Sequence, residues 1–83
     1  MAYYITFRSI TYAQRGEATL RRRGIRCALQ RTPRWMESRG CGYCLKMDYR
    51  DIGDAVTVLQ EAEIPYRKVY VKMDGGQLEE LIL

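Results

Sequence analysis

Residues 52–62 read Ile-Gly-Asp-Ala-Val-Thr-Val-Leu-Gln-Glu-Ala, and they carry the clearest helix pattern in the chain. Apolar residues recur here at i, i+3, i+4 and i+7, which places them on one face of a helix. They are Ile52, Ala55, Val56, Leu59 and Ala62. We expect Asp48 or Asp51 to cap this helix at its N-terminus and Ile64-Pro65 to end it.

Strands are predicted on both sides of this helix, at residues 43–47 and 67–73. The two segments alternate, as half-buried strands do. The inward-facing positions are Tyr43, Leu45, Met47, Val69, Val71 and Met73. The sequence therefore predicts a β-α-β unit in the second half of the chain.

The first half of the chain has the same order of patterns. Residues 3–8 are rich in aromatic and β-branched residues and form strand one. A helix is predicted from about residue 11 to residue 23, capped by Ser9 or Thr11 and stopped by Gly24. Strand two follows at residues 25–30 and ends before Thr32-Pro33, since proline cannot continue a central ladder.

The resulting order predicts an α+β fold of the ferredoxin-like βαββαβ kind, with two helices on one face of a four-stranded antiparallel sheet. We assign residues 1–74 to one domain and residues 75–83 to an apolar C-terminal tail, which docks on this domain, docks on a partner or frays. The opposite face of the sheet is expected to be exposed. It would carry Tyr4, Thr6, Arg8, Ala28, Cys44, Lys46, Lys68, Tyr70 and Lys72.

The amino-acid composition excludes several classes of function. The 83 residues suit one domain, and a net charge of +4 is weakly suggestive of an anionic partner. Histidine is absent, which excludes Ser-His and Cys-His catalysis. Three cysteines, two of them close together, are not the even, spread set of a secreted disulfide framework. Without a long apolar run or a signal-peptide pattern, we expect a cytoplasmic protein that contacts no membrane.

The stretch with chemical potential is Ser38-Arg39-Gly40-Cys41-Gly42-Tyr43-Cys44. Its glycines permit close approach of a substrate, and the cations Arg34, Arg39 and Lys46 lie nearby in the sequence. Positive charge favours the thiolate, which is the nucleophilic form of cysteine. A carrier of sulfur or selenium needs one such thiol on a loop and no cofactor, and Cys41 meets these conditions. Cys27 is expected to be buried as a small hydrophobe in strand two.

Three alternatives use the same residues differently. Cys41-Gly42-Tyr43-Cys44 has the CxxC spacing of a thiol-disulfide oxidoreductase, although a strand follows it and not a helix. A zinc ion could be shared across a dimer through the three cysteines. An RNA-binding or protein-interaction module could use the basic open face of the sheet, with Tyr4 and Tyr70 stacking on bases.

A family resemblance favours the carrier. The span from Tyr3 to about Met73 resembles the small family of selenium/sulfur carrier-like proteins. The specific part of the likeness is the series Thr32-Pro33-Arg34, Ser38 and Cys41-Gly42. Two positions depart from the family pattern, because Gly40 stands where a serine is common and Cys44 is an added thiol.

The resemblance implies that Cys41 accepts a persulfide or selenopersulfide. We predict Cys41 and Cys44 as the reactive residues, without a cofactor or metal. The predicted substrate-binding residues are Arg34, Ser38, Arg39, Gly40 and Gly42. The implied partners are proteins of sulfur or selenium transfer, such as a cysteine desulfurase or a selenium-handling enzyme. A homodimer is also considered, and nucleic acid is a less favoured partner.

Overall fold

The structure is a computed structural model and describes residues 2–33 and 42–82. These residues form two α-helices and five β-strands, with a short 3-10 turn at Tyr49–Asp51 leading into the second helix. In chain order the elements are β1 (Ala2–Phe7), α1 (Ile10–Arg22), β2 (Ala28–Arg31), β3 (Tyr43–Asp48), α2 (Ile52–Glu61), β4 (Val69–Lys72) and β5 (Leu78–Leu81).

The strands form a single sheet in the order β2-β3-β1-β4-β5, with every neighbouring pair antiparallel. The predicted α+β class is confirmed. The prediction of four strands is wrong, because Leu78–Leu81 adds a fifth strand beside β4. The strand β1 lies at the centre, between β3 and β4.

Local signals in the sequence set the ends of α1. The Ser9 hydroxyl accepts a hydrogen bond from the Tyr12 N–H at 3.4 Å and caps the helix. Gly24 follows the last turn with φ +78, a backbone conformation that glycine adopts at little cost. Neither α1 nor α2, in the part of the chain that the structure describes, is long and apolar enough to cross a membrane.

Gly16 brings α1 close to the sheet. A Cβ atom at this position would lie 3.1 Å from Phe7 Cζ and 3.4 Å from both Leu45 Cδ1 and Leu59 Cδ2. The glycine therefore lowers helix propensity but permits close packing of α1 on β1, β3 and α2.

The main core lies between the helices and one face of the sheet. The side chains that the alternation places inward on β1 and β3 are buried there, except Tyr43, which is partly buried, and the apolar faces of both helices join them. The largest fully buried members are Phe7, Ile5, Leu20, Leu45, Leu59 and Val69.

The opposite face of the sheet is only in part the exposed surface that the sequence suggested, because Arg8, Ala28, Lys46, Lys68 and Lys72 are exposed but its other four predicted members are not. Tyr4 and Tyr70 are 5% and 8% exposed, and Thr6 and Cys44 are fully buried. Tyr4 and Tyr70 are direct cross-strand neighbours, and they form a second apolar cluster with Cys44, against which Ala2 and Leu78 pack. The alternation of side chains was predicted correctly, but the exposure of these four residues was not.

The C-terminal residues form a hairpin with β4. Met73 N–H donates to the Gln77 carbonyl and Gly76 N–H donates to the Met73 carbonyl, both at 2.8 Å, which closes the turn. Leu81 packs on the main core and Leu78 on the second cluster, whereas Ile82 is 94% exposed. The segment thus pairs with the sheet through its backbone and contributes one leucine to each face.

Replacement of Leu59 by alanine tests the core. Leu59 is fully buried, so Leu59→Ala is expected to lower the free energy of unfolding by about 2–5 kcal/mol in chemical denaturation. Glu61→Ala, on the exposed side of the same helix, is the matched control and should change little. Equal effects of the two substitutions would contradict the assigned orientation of α2.

Removal of residues 75–83 tests the fifth strand. The truncated chain loses the β4–β5 ladder and the packing of Leu78 and Leu81. We expect its free energy of unfolding to fall by about 2 kcal/mol or more. Ile82→Ala should leave the melting temperature unchanged because the side chain lies in solvent. A truncated protein that melts with the full chain would show that β5 adds no stability.

Candidate thiol site

The predicted site is only partly within the described structure. Cys41 and four of the predicted binding residues lie outside the described residues, namely Arg34, Ser38, Arg39 and Gly40. Gly42 and Cys44 lie inside them. The geometry of the site is therefore given by the two strand ends that border residues 34–41 and by the two described thiols.

Both ends of the connection between β2 and β3 are held at one point of the sheet. Arg31 pairs with Tyr43, and one residue further the Thr32 N–H donates to the Gly42 carbonyl at 3.0 Å. Gly42 is buried. Since Cys41 directly precedes Gly42 in the sequence, the candidate nucleophile is one residue away from a backbone position fixed by this hydrogen bond.

A buried hydroxyl lies at the same point. Thr32 is 5% exposed, and its Oγ1 atom has no hydrogen-bond partner within residues 2–33 and 42–82. A buried hydroxyl without a partner costs stability. This feature could not be predicted from the sequence, in which Thr32 only marks the end of a strand. Its one sequence signal is the place of Thr32 in the Thr32-Pro33-Arg34 series.

Cys44 lies on β3, directly opposite Thr6 of the central strand. Its side chain is fully buried in the second cluster, together with Tyr4 and Tyr70. The sequence predicts that Cys44 lies on an exposed face and reacts together with Cys41. Its exposure is contradicted, and its pairing with Cys41 stays a prediction because Cys41 lies outside the described residues.

Cys27 lies on the other side of the sheet. It is 8% exposed and belongs to the main core, as predicted. Burial raises the pKa of its thiol above the ordinary value, and the Glu17 carboxylate raises it further. Arg21 opposes both effects, while its guanidinium donates to the Cys27 carbonyl at 3.0 Å and lies 3.5 Å from Glu17. The thiol of Cys27 is therefore protonated at neutral pH and is a poor nucleophile.

The two described thiols cannot act together. Cys27 belongs to the core on the helix side, whereas Cys44 belongs to the cluster on the opposite side. A single zinc ion cannot be bound by both, which removes the zinc site that would use all three cysteines of one chain. Among the residues that the structure describes, no group of three or more His, Cys, Asp and Glu side chains could hold a metal ion.

Lys46 is not at the strand end where residues 34–41 begin and end. It lies four residues beyond Gly42 along extended β3, a separation of roughly 13 Å between Cα atoms. Lys46 is therefore well separated from Gly42, the described residue next to Cys41 in the sequence. The predicted influence of Arg34, Arg39 and Lys46 on Cys41 stays a prediction, because Cys41 lies outside the described residues.

Alkylation at different pH values tests the burial of the two thiols. At pH 7 we expect iodoacetamide to label Cys27 and Cys44 much more slowly than Cys41, as measured by peptide mass mapping. Because the pKa of Cys27 is raised, its labelling rate should increase steeply only at pH values above those at which an ordinary thiol ionises. The rate should fall when the pH is lowered again, because the thiol is then protonated. Rapid labelling of Cys27 or Cys44 at pH 7, in protein that remains folded, would contradict the structure.

The comparisons with known proteins give a family for this chain. No curated protein matches the chain, and no solved structure matches it. The family described as "putative Se/S carrier protein-like" matches residues 2–71, from β1 into β4. This match covers most of the sequence and includes all three cysteines. The chain belongs to the Se/S carrier protein-like family.

Proposed function

We propose that the protein carries sulfur or selenium as a persulfide or selenopersulfide on Cys41. Family membership supports the general function. The observation that carries the choice of residue is the burial of the other two thiols, Cys27 in the main core and Cys44 in the second cluster. A carrier must present its sulfur to two successive partners, and a thiol closed in by the core on either face of the sheet cannot do so.

The proposed transfer balances without an oxidant. The Cys41 thiolate attacks the terminal sulfur of a donor persulfide, and a new S–S bond forms at Cys41. The S–S bond of the donor breaks, and the donor leaves as a thiolate with the bonding electron pair. The proton on the terminal sulfur stays with it, so Cys41 becomes a persulfide. A nucleophilic acceptor then takes the terminal sulfur and regenerates the Cys41 thiolate. A terminal selenium atom would follow the same course.

The neighbours of Cys41 in the sequence suit this chemistry. Arg34 and Arg39 would favour the thiolate and hold the anionic persulfide, and Ser38 would donate a hydrogen bond to it. Gly40 and Gly42 leave room for the donor's sulfur to approach. The hydrogen bond from Thr32 to Gly42 supports the role by anchoring the residue next to Cys41 on the sheet.

The rival functions have less support. A dithiol oxidoreductase would use Cys44 as its resolving thiol, and Cys44 is fully buried in this structure. Base stacking by RNA would need open faces of Tyr4 and Tyr70, which are packed in the second cluster. The order of elements up to β4 is the βαββαβ order of ferredoxin-like domains, which serve many functions and favour none of these.

The proposed setting follows from the chemistry. A persulfide carrier works in a reducing compartment, which we take to be the cytoplasm. Its donor would be a protein that forms persulfides, such as a cysteine desulfurase, or a selenium-handling enzyme. A homodimer is compatible with this function but is not needed for it, because each chain would carry its own thiol.

A loading assay with cysteine variants tests the proposal. A cysteine desulfurase and ³⁵S-cysteine supply the donor persulfide, and label on the carrier is counted after separation without reductant. Cys41→Ser is expected to abolish loading. Cys44→Ser is the matched control, and it should load to the wild-type level because only a dithiol mechanism needs the second thiol.

Two outcomes would contradict the carrier assignment. The first is a folded Cys41→Ser protein that still acquires label. The second is loss of loading in a folded Cys44→Ser protein, which would favour the dithiol mechanism. Circular dichroism on each variant separates these outcomes from unfolding, which is a concern for Cys44 because it is fully buried.

A further inference from the structure

A second candidate site lies at the edge of the sheet, where the chain passes from α1 into β2. The ladder between β2 and β3 stops at the pair Ala28 and Lys46. Residues 24–27 have no strand pairing, and a pocket of about 660 Å³ opens between them and the end of β3. This volume lies within the range of small-molecule sites.

The base of this edge pocket is apolar. Ile25, Cys27 and Met47 line it, and each is a buried member of the main core. Their carbon and sulfur atoms offer no strong hydrogen bond, so the part of a ligand that contacts them would be apolar.

The rim of the edge pocket is mainly cationic. Arg21, Arg26 and Lys46 line it, and Asp48 is the one carboxylate among its lining residues. Arg21 is held by the Cys27 carbonyl and by Glu17, which partly neutralises its charge. Arg26 and Lys46 are exposed, and they belong to different segments on either side of the opening. Two cations that face one opening favour an anionic group there.

We propose that the edge pocket binds a small organic anion, with its apolar body on Ile25, Cys27 and Met47 and its acidic group between Arg26 and Lys46. A small molecule fits better than a nucleic acid, because a polyanion needs an extended track of cations and this pocket combines a few cations with an apolar base. The inference does not rest on the carrier function. The edge pocket is lined by Lys46, Met47 and Asp48, the last residues of β3, whereas Gly42, the neighbour of Cys41, precedes the first residue of the same strand.

The test uses 8-anilino-1-naphthalenesulfonate as the probe, an apolar body with one fixed negative charge. Its fluorescence gives a dissociation constant on the full chain, and N-phenyl-1-naphthylamine serves as the neutral counterpart. We expect saturable binding of the anion and clearly weaker binding of the neutral compound. Amide chemical-shift changes in two-dimensional NMR should concentrate at residues 24–28 and 46–48.

Charge variants make the assignment specific. Lys46→Gln and Arg26→Gln are each expected to raise the dissociation constant of the anion about threefold, and the double variant about tenfold. Arg15→Gln is the matched control, since it removes one exposed positive charge from α1 next to Tyr12, away from the edge pocket. None of these three side chains is buried, so the variants should remain folded.

Four results would overturn the proposal. One is no binding of the anion, and another is equal binding of the charged and the neutral compound. The third is the same dissociation constant for Arg15→Gln and for the Arg26 and Lys46 variants. The fourth is a set of shift changes centred elsewhere in the protein. None of these outcomes bears on persulfide loading at Cys41, so this site and the proposed function can fail separately.

Discussion

The antiparallel pairing of β1 with β3 is the constraint on which the other features of the structure depend. β1 is the central strand, and the five residues from Tyr3 to Phe7 are all buried. The register places Thr6 opposite Cys44 and Phe7 opposite Tyr43. Because side chains alternate, a slip of one residue would move Cys44 into the main core and Leu45 out of it. The pairing therefore decides the face on which the thiol of β3 is buried.

The same sheet accounts for the different chemistry expected of the three cysteines. Cys27 is buried in the main core on the helix side of the sheet, where burial and Glu17 raise the pKa of its thiol. Cys44 is closed in by the aromatic cluster on the opposite face. Packing on the two faces of the sheet thus keeps the thiols of Cys27 and Cys44 from reacting with a partner protein. Cys41 belongs to the connection between β2 and β3, whose ends are joined by the hydrogen bond from Thr32 to Gly42. This division of the thiols is the structural basis for proposing Cys41 as the carrier.

Periodicity predicted much of the fold because it reports local geometry. The cap at Ser9 and the stop at Gly24 correspond to the structure, and so does the burial of Ala55, Val56 and Leu59 in α2. Ala62 differs, because α2 ends at Glu61 and Ala62 is exposed, while Val58 is buried in addition. The fifth strand was missed for a physical reason, since its two leucines lie at its ends and face opposite sides of the sheet. Asp74-Gly75-Gly76 was interpreted as the end of the compact unit, although such a sequence between two strands is also a hairpin signal.

Long-range features could not be predicted from periodicity. The burial of Tyr4 and Tyr70 depends on their direct pairing across β1 and β4 and on Leu78 from β5. The edge pocket depends on where the chain leaves the β2–β3 ladder, which no local pattern determines. For the site itself, the sequence identified Cys27 as a buried thiol and Gly42 as a neighbour of the candidate nucleophile. The suggested proximity of Lys46 to the nucleophile stays a prediction, because Cys41 lies outside the described residues.

The most direct measurement of the central claim is the intact mass of the protein purified without reductant from cells that also produce its sulfur-transfer or selenium-transfer partners. We expect a population of the protein that is heavier than the unmodified chain by the mass of one sulfur or one selenium atom. This population should be lost on treatment with dithiothreitol, and peptide mapping should place the added atom on Cys41. Added mass on Cys27 or Cys44, or a Cys41 thiol that never carries a chalcogen when such a donor is present, would contradict it.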